Sequence, residues 1–366
     1  MHCWQLPNWP DFYYDRQVVS SLLNEVEETL LPFVRSVSEL PDEEKGQYLM
    51  EVMIQEAKNT SSIEGEFISR EDIYSSIINR RRRVGYGSLH VKDRRAVGVG
   101  RLIDLVASTY DVPLTEATLK YWHSLLLEGN TSLRSIGDYR LGPEPMRIVS
   151  GPPTNPTTHY EAPPAERLDG EMSRFVAYLD RRQADDPLTH GILLAGISHL
   201  YFESIHPFED GNGRIGRALI DHLLSATLAM PVPFSVSQSL QQRQRAYYKA
   251  LNSARNDLNA TRWMTFYLEC ICQSVQTAQE LVGFVLKKAE LFDRIDGQIN
   301  ANQRKVLVKL FDKGPEGFAG GLSAKNYTRI TRTSSATASR DLSRLVELAA
   351  LIRYGAGRST RYRLNI

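Results

Sequence analysis

The chain has 366 residues, enough for two or three domains, and its 42% hydrophobic and 24% charged residues exclude a disordered or fibrous protein. The net charge of +1 hides an asymmetry: residues 301–366 carry 13 Lys+Arg against 4 Asp+Glu, so the C-terminal piece reads as a separate basic body after an acidic stretch. Three cysteines, Cys3, Cys270 and Cys272, exclude a disulfide framework and a zinc cluster and point to a reducing, cytoplasmic setting, while no signal-like start and no apolar run of ~18 residues argue for a membrane partner.

In chain order, residues 12–58 place Val18, Leu22, Leu23, Val26 and Leu30 at helical spacing, and Pro41-Asp42-Glu43-Glu44 marks a fresh helix start. Helices are predicted over 70–79, 92–109, 115–127, 165–181, 188–204, 214–229, 241–255 and 261–294. The stretch 139–164 breaks the pattern with seven of the chain's 17 prolines and a β-leaning run, Met146-Arg147-Ile148-Val149. It reads as a small hairpin with turns, or as a Pro-rich surface loop. Past a junction near 299–302, helices are predicted over 303–311, 323–328 and 334–349, followed by a wing-like stretch over 351–364.

The chemistry is concentrated in His206-Pro207-Phe208-Glu209-Asp210-Gly211-Asn212-Gly213-Arg214-Ile215-Gly216-Arg217, between two apolar helical stretches. Gly211 and Gly213 let the backbone turn tightly with its N–H groups facing outward at a helix start, which is an anion site. Arg214 and Arg217, three apart, share a helix face and can reach one polyphosphate. Asp210 beside them is placed to hold Mg²⁺, and His206 can accept a proton from an attacking hydroxyl. Phe208 reads as the loop's core anchor. Taken singly, these residues are an ordinary turn, a structural histidine and a solvated face; their convergence within one window is what argues for a site.

This segment resembles the Fic family signature His-x-Phe-x-Asp/Glu-Gly-Asn-Gly-Arg-x-x-Arg. The resemblance implies a mainly α fold: a Fic-type helical core with a small β-hairpin flap, here followed by a C-terminal winged-helix domain. It implies a protein adenylyltransferase that moves AMP from ATP, with Mg²⁺, to a hydroxyl side chain of a target protein. His206 is then the general base, Asp210 the Mg²⁺ ligand, Asn212 with the amides of Gly211 and Gly213 the α-phosphate holder, and Arg214 and Arg217 the β- and γ-phosphate grip. The kinase-like Doc branch carries Lys where this chain has Gly213, so Gly213 favours AMP transfer; UTP or choline-bearing nucleotides stay open as substrates.

Three further segments follow from the resemblance. Met146, Arg147, Ile148 and Val149 look like the flap that aligns a target segment by strand addition. Thr60-Ser61-Ser62-Ile63-Glu64-Gly65 fits the inhibitory pattern Ser/Thr-x-x-x-Glu-Gly/Asn, with Thr60 and Glu64 on one helix face, Gly65 ending the helix, and Glu64 pairing with Arg217 to block the productive ATP pose. Tyr247 and Tyr248 resemble the adenine-flanking segment, with helix-core packing as the alternative. The expected organisation is 1–90 N-terminal helical region with the inhibitory helix, 91–298 catalytic core and 299–366 winged helix. In the last of these Arg340 and Arg344 lie on the third helix and Arg353, Arg358, Arg361 and Arg363 on the wing, fitting either DNA bound through 323–366 or a docking module. The competing functional readings are a DNA-binding regulator with a self-modifying core and an enzyme that removes AMP with the same site. A homodimer is expected from members with this inhibitory arrangement.

Overall fold

The first helix, α1 (Arg16–Ser38), starts where the Asp15 carboxylate accepts hydrogen bonds from the Gln17 and Val18 backbone N–H groups, and it buries Val19, Leu23, Val26, Leu30, Phe33 and Val37. That stripe is one residue out of phase with part of the expected one, because Val18 faces solvent. The computed structural model describes residues 2–82, 88–144, 146–150, 157–180, 186–311, 318 and 320–366, with the side chains of 148–150, 157–159 and 358 outside the described set. Two compact units emerge, Met1–Glu39 with Leu49–Ala278, and Leu40–Tyr48 with Gln279–Ile366.

The larger unit is helical. After α1 come α2 (Asp42–Ile63), α3 (Arg70–Arg81), α4 (Arg94–Ser108) and α5 (Glu116–Leu126), then the hairpin β1 (Arg147–Ser150) and β2 (Thr157–Glu161). The strands pair antiparallel, Arg147 with Glu161 and Ile148 with Tyr160, before a register shift between Ile148 and Val149. The hairpin's turn, 151–156, lies outside the described residues. There follow α6 (Leu168–Leu179), α7 (Pro187–Ile205), α8 (Asn212–Leu228), α9 (Val236–Gln242), α10 (Gln244–Ala254) and α11 (Thr261–Ile295), with the part of α2 before Leu49 and the part of α11 after Ala278 belonging to the smaller unit. The helix predicted over 241–255 corresponds to α10, and α9 was not expected; Arg243 separates the two, and Ser235 caps α9 through a bond from the Gln238 N–H.

α7 is the spine. Asp186 caps it, Pro187 occupies its first turn where no N–H is needed, and nearly every position from Gly191 to Ile205 is buried, as expected of a helix apolar on all sides. Its partner α8 buries Ile215, Ala218, Leu219 and Ile220. Trp122, Phe175, Phe202 and Phe208 complete a continuous core beneath the loop joining α7 to α8. The site is thus mounted on the two best-packed helices of the unit.

In the smaller unit α12 (Ala301–Phe311), α13 (Ala324–Thr331) and α14 (Ser335–Glu347) precede the antiparallel pair β3 (Leu351–Tyr354) and β4 (Arg361–Leu364). Arg332, in the left-handed region at φ 59°, turns the chain from α13 to α14, whose start is capped by Ser334. Leu307, Phe311, Tyr327, Leu342, Leu345 and Leu351 form its core. Buried Asp341 accepts from the Tyr327 hydroxyl at 2.7 Å and from Asn300 Nδ2 at 3.0 Å, tying three helical segments together. Among the described residues no helix is long and apolar enough to cross a membrane.

Candidate active site

α7 ends at His206 because Pro207 follows, and a residue before proline is pushed out of the helical region. His206 takes a left-handed conformation, φ 52° and ψ 59°, with its N–H bonded to the Phe202 carbonyl. Buried Arg140 fastens the turn from outside the motif: its Nε donates to the His206 carbonyl at 2.9 Å and its backbone N–H to the Pro207 carbonyl at 2.9 Å. Phe208 is fully buried and stacked on the His123 ring at 4.1 Å. His123 Nδ1 accepts from the Gly137 N–H, so its Nε2–H donates to the Asp210 carbonyl at 3.2 Å, a tautomer dictated by the backbone donor.

Asn212 uses its side chain to close the loop. It accepts from the Phe208 N–H at 2.9 Å and donates to the Phe208 carbonyl at 2.8 Å. This satisfied, buried amide holds the loop's shape, which leaves direct anion contact to the backbone around it. Gly211, at φ 79°, occupies the N-cap of α8 and brings no side-chain acceptor, so the positive end of α8 has no cap from its own N-cap residue. Asp210 stands at the rim with its side chain 52% exposed, 3.4 Å from Arg214 Nη2. Among the described residues no group of three or more His, Cys, Asp or Glu forms a metal cage. A single exposed carboxylate beside the expected phosphate site nevertheless fits Mg²⁺, which keeps most of its waters and takes one or two carboxylates plus phosphate oxygens.

α2 closes the other side of this cradle. It ends in a Schellman motif: the Glu66 N–H bonds to the Ser61 carbonyl, the Gly65 N–H to the Ser62 carbonyl, and Gly65 sits at φ 80°. That turn sends Glu64 Oε1 to 2.7 Å from Arg217 Nη2, while Thr60 receives Arg217 Nε on its hydroxyl at 2.7 Å and Nη2 on its carbonyl at 3.0 Å. A side chain at Gly213 would place its Cβ 2.3 Å from Glu64 Oε1, so the bare Gly213 surface is what admits the carboxylate over the start of α8. Arg214 is engaged as well, through Glu66 Oε2 at 2.9 Å. Both arginines expected to grip a polyphosphate are therefore held by acids from the end of α2.

The His206 side chain is 15% exposed, and its Nδ1 is buried without a hydrogen-bond partner, 3.7 Å from Glu203 Oε2. Burial, helped by the Arg255 and Arg140 cations, pushes the imidazole down to about 3, so it is neutral near pH 7. Tyr247 is only 1% exposed, its hydroxyl 2.8 Å from His199 Nε2 and its ring packed among Trp263 and Phe266; it is a core residue, whereas neighbouring Tyr248 is 42% exposed. Glu66, His123, Arg140 and Glu203 escaped the sequence reading. Glu203 carried a signal, as the only acid in α7.

Residues 113–224 match the family described as Fic/DOC. The chain carries a Fic/DOC domain. Residues 2–82 match a domain of unknown function, DUF4172. A uridine 5′-monophosphate transferase of Xanthomonas campestris pv. campestris (strain 8004) is 35% identical over 89 residues, 23% of this chain and 16% of that protein. The protein adenylyltransferase Fic of Nematostella vectensis is 36% identical over 95 residues, 26% of this chain and 21% of that protein. The chain thus spans about a fifth of the length of these curated relatives. A Fic family protein from Desulfovibrio desulfuricans G20 aligns with a TM-score of 0.56 at 22% identity, covering 96% of this chain and 97% of that one. A Fic domain containing signaling protein from Bacteroides thetaiotaomicron VPI-5482 aligns with a TM-score of 0.51 at 16% identity over 73% of this chain and 97% of that one. At these identities the likeness establishes the fold, a helical Fic core with a small antiparallel hairpin.

Proposed function

We propose that this Fic protein transfers AMP from ATP to a hydroxyl side chain of a target protein and that Glu64 restrains it. The observation that carries the reading is the Glu64 carboxylate lying over Gly213 at the start of α8 and paired with Arg217 at 2.7 Å. An internal anion sits where a polyphosphate oxygen would be received, so the cradle is an anion site and the chain holds its own competitor for it.

With ATP bound and Glu64 displaced, Arg217 and Arg214 grip the outer phosphates and the amides at the start of α8 face the α-phosphate. The target hydroxyl oxygen attacks the α-phosphorus, the bond to the β-phosphate oxygen breaks, pyrophosphate leaves, and the hydroxyl proton passes to His206. A neutral imidazole is ready to receive it, and the triphosphate's negative charge raises its proton affinity as the site fills. Mg²⁺ held by Asp210 would neutralise phosphate charge. Exposed Tyr248 is the better candidate than Tyr247 for contact with the base, and the β1–β2 hairpin offers a strand edge for a target segment. The N-terminal region to residue 90 then serves as restraint on the core of 91–298.

The test is incubation of wild-type, Glu64→Gly and His206→Ala proteins with Mg²⁺ and α-labelled ATP in lysate. Label appearing with Glu64→Gly and absent with His206→Ala supports the reading; no label with any variant refutes it. The same gel with α-labelled UTP separates AMP from UMP transfer, an alternative prompted by the relative named for that nucleotide. Label on the enzyme itself would mark self-modification, and release of AMP from a pre-modified target would mark the reverse activity. For the C-terminal residues 299–366 we propose a winged helix that binds nucleic acid, because Arg340 and Arg344 are exposed on α14 and Arg353 is exposed on β3 of the hairpin.

A further inference from the structure

Behind His206 lies a buried carboxylate to which nothing above gives work. Glu203 is 5% exposed, one turn before His206 on α7. Its Oε2 is 3.7 Å from His206 Nδ1 and 3.6 Å from Arg255 Nη2, while Oε1 has no hydrogen-bond partner. Arg255, itself buried, donates Nη2 to the Glu203 backbone carbonyl at 3.1 Å and Nη1 to Asn252 at 3.0 Å, which fixes the cation against the last turn of α7. Space for the carboxylate comes from α8: a Cβ at Gly216 would lie 3.0 Å from Glu203 Oε1 and 3.0 Å from His199 Nδ1. A buried acid with one oxygen free, beside an imidazole whose buried nitrogen makes no close hydrogen bond and has only the Glu203 backbone carbonyl and carboxylate near it, forms an incomplete pair.

We propose that Glu203 is the positioning residue for His206: its carboxylate receives the imidazole Nδ1–H, reserves Nε2 for the incoming proton, and stabilises the imidazolium once the target hydroxyl has been deprotonated. The inference rests on His206 acting as the base. Since Nδ1 is the buried nitrogen, the ring's exposure lies on the side away from Glu203, where a hydroxyl would approach. Protonation at Nε2 while Nδ1 keeps its hydrogen creates a cation 3.7 Å from an anion in a site screened from water, where such a pair is strong. Arg255 balances the same carboxylate while His206 is neutral, so Glu203 need not be an unpaired buried charge at rest.

The groups facing Glu203 are His199 and His206 from α7, Arg217 from α8, Glu64 from the end of α2, and Arg255 and Tyr247 from α10 and its cap. Burial outweighs the two arginines and pushes Glu203 up to about 7. The positioning pair is therefore complete only above that pH, and the acid limb of the rate profile belongs to Glu203, since His206 titrates far lower.

The experiment uses full-length protein. Nitrogen chemical shifts of the His206 ring at pH 8 are expected to show the Nδ1–H tautomer in the wild type and a shift toward Nε2–H in Glu203→Ala, a readout independent of turnover. In the Glu64→Gly background, Glu203→Gln is expected to leave KM for ATP within about twofold, lower kcat by about 10- to 100-fold, and abolish the limb near pH 7. An unchanged tautomer in Glu203→Ala, or an intact limb and kcat in Glu203→Gln, overturns the proposal. Absence of AMP transfer from Glu64→Gly alone would sink the functional reading instead, with the tautomer still deciding the role of Glu203.

Discussion

Thr60→Val isolates the polar contact that holds α2 against α8 without touching Glu64. The change is nearly isosteric, and Thr60 is 1% exposed, so packing is kept while the hydroxyl that accepts Arg217 Nε at 2.7 Å is lost. A hydrogen bond to a charged group contributes roughly 1.5–3 kcal/mol, and the Nη2 bond to the Thr60 carbonyl survives the substitution. The loss falls on the docked state alone, because a released Arg217 meets solvent or phosphate. At about 1.4 kcal/mol per tenfold, the released population and the basal AMP-transfer rate should rise roughly 10- to 150-fold, with Glu64→Gly as the ceiling. Initial rates of label incorporation measure this, with Thr60→Ser as the control that keeps the hydroxyl. A Thr60→Val protein as slow as wild type, while Glu64→Gly is fast, would refute the idea that Thr60 shares in the restraint.

Other outcomes follow from the same geometry. Gly213→Ala should both weaken the Glu64–Arg217 pair and crowd the start of α8, so ATP affinity measured by calorimetry should fall by at least tenfold in the Glu64→Gly background, where relief of restraint no longer compensates. Glu203, whose folded-state pKa is raised to about 7 from 4.5, favours folding below the unfolded value and loses that contribution as pH rises through 7. Glu203→Gln should therefore gain stability relative to wild type between about pH 4.5 and 7, on the order of 3 kcal/mol by pH 8, as read by denaturant titration. Arg340→Ala with Arg344→Ala should weaken binding of a DNA duplex and reduce its salt slope by about 1 to 2; equal binding by the doubly substituted protein would remove α14 from the interface.

The legibility of this chain followed how local each signal was. The turn from α7 to α8 could be read because Pro207 and Gly211 act on their own backbone and because the residues that need one another lie within twelve positions. The start of α14 could be read for the same reason, since Ser334 caps it by accepting from the Thr337 N–H three residues on. What the sequence hid was what depends on partners far along the chain. Asn212 looks like a phosphate ligand until the Phe208 backbone is seen to occupy both ends of its amide. Tyr247 looks like a stacking platform until His199, 48 positions earlier, takes its hydroxyl and turns the ring into the core. Arg140 sits in a Pro-rich stretch without helical pattern, and only the fold carries it to the His206 and Pro207 carbonyls.

The same distinction bears on why the proposed restraint is polar. Along α2, Glu56, Thr60 and Glu64 recur at four-residue spacing, and along α8 so do Gly213, Arg217 and Asp221, so the two helices present matching ladders. The upper rungs are the Glu64 and Thr60 contacts to Arg217. At the lower end, Glu56 accepts from the Ser235 hydroxyl and the Ser237 N–H, and with Asp221 it lines a cavity of about 20 Å³ in which burial pushes both carboxyls up and the Glu56 charge pushes Asp221 further. An apolar seam of this length would hold α2 by burial that no nucleotide could offset. A ladder ending in one carboxylate on one guanidinium loses a rung to any ligand that offers Arg217 a better anion, and a triphosphate does so. On the proposed reading, competition between Glu64 and phosphate for the same arginine makes restraint and substrate binding reciprocal, and raising ATP should release α2 in proportion to its occupancy. Hydrogen exchange of the 60–66 amides, measured across an ATP titration, reads that release, and protection unaffected by saturating ATP would show that the carboxylate and the phosphate do not compete.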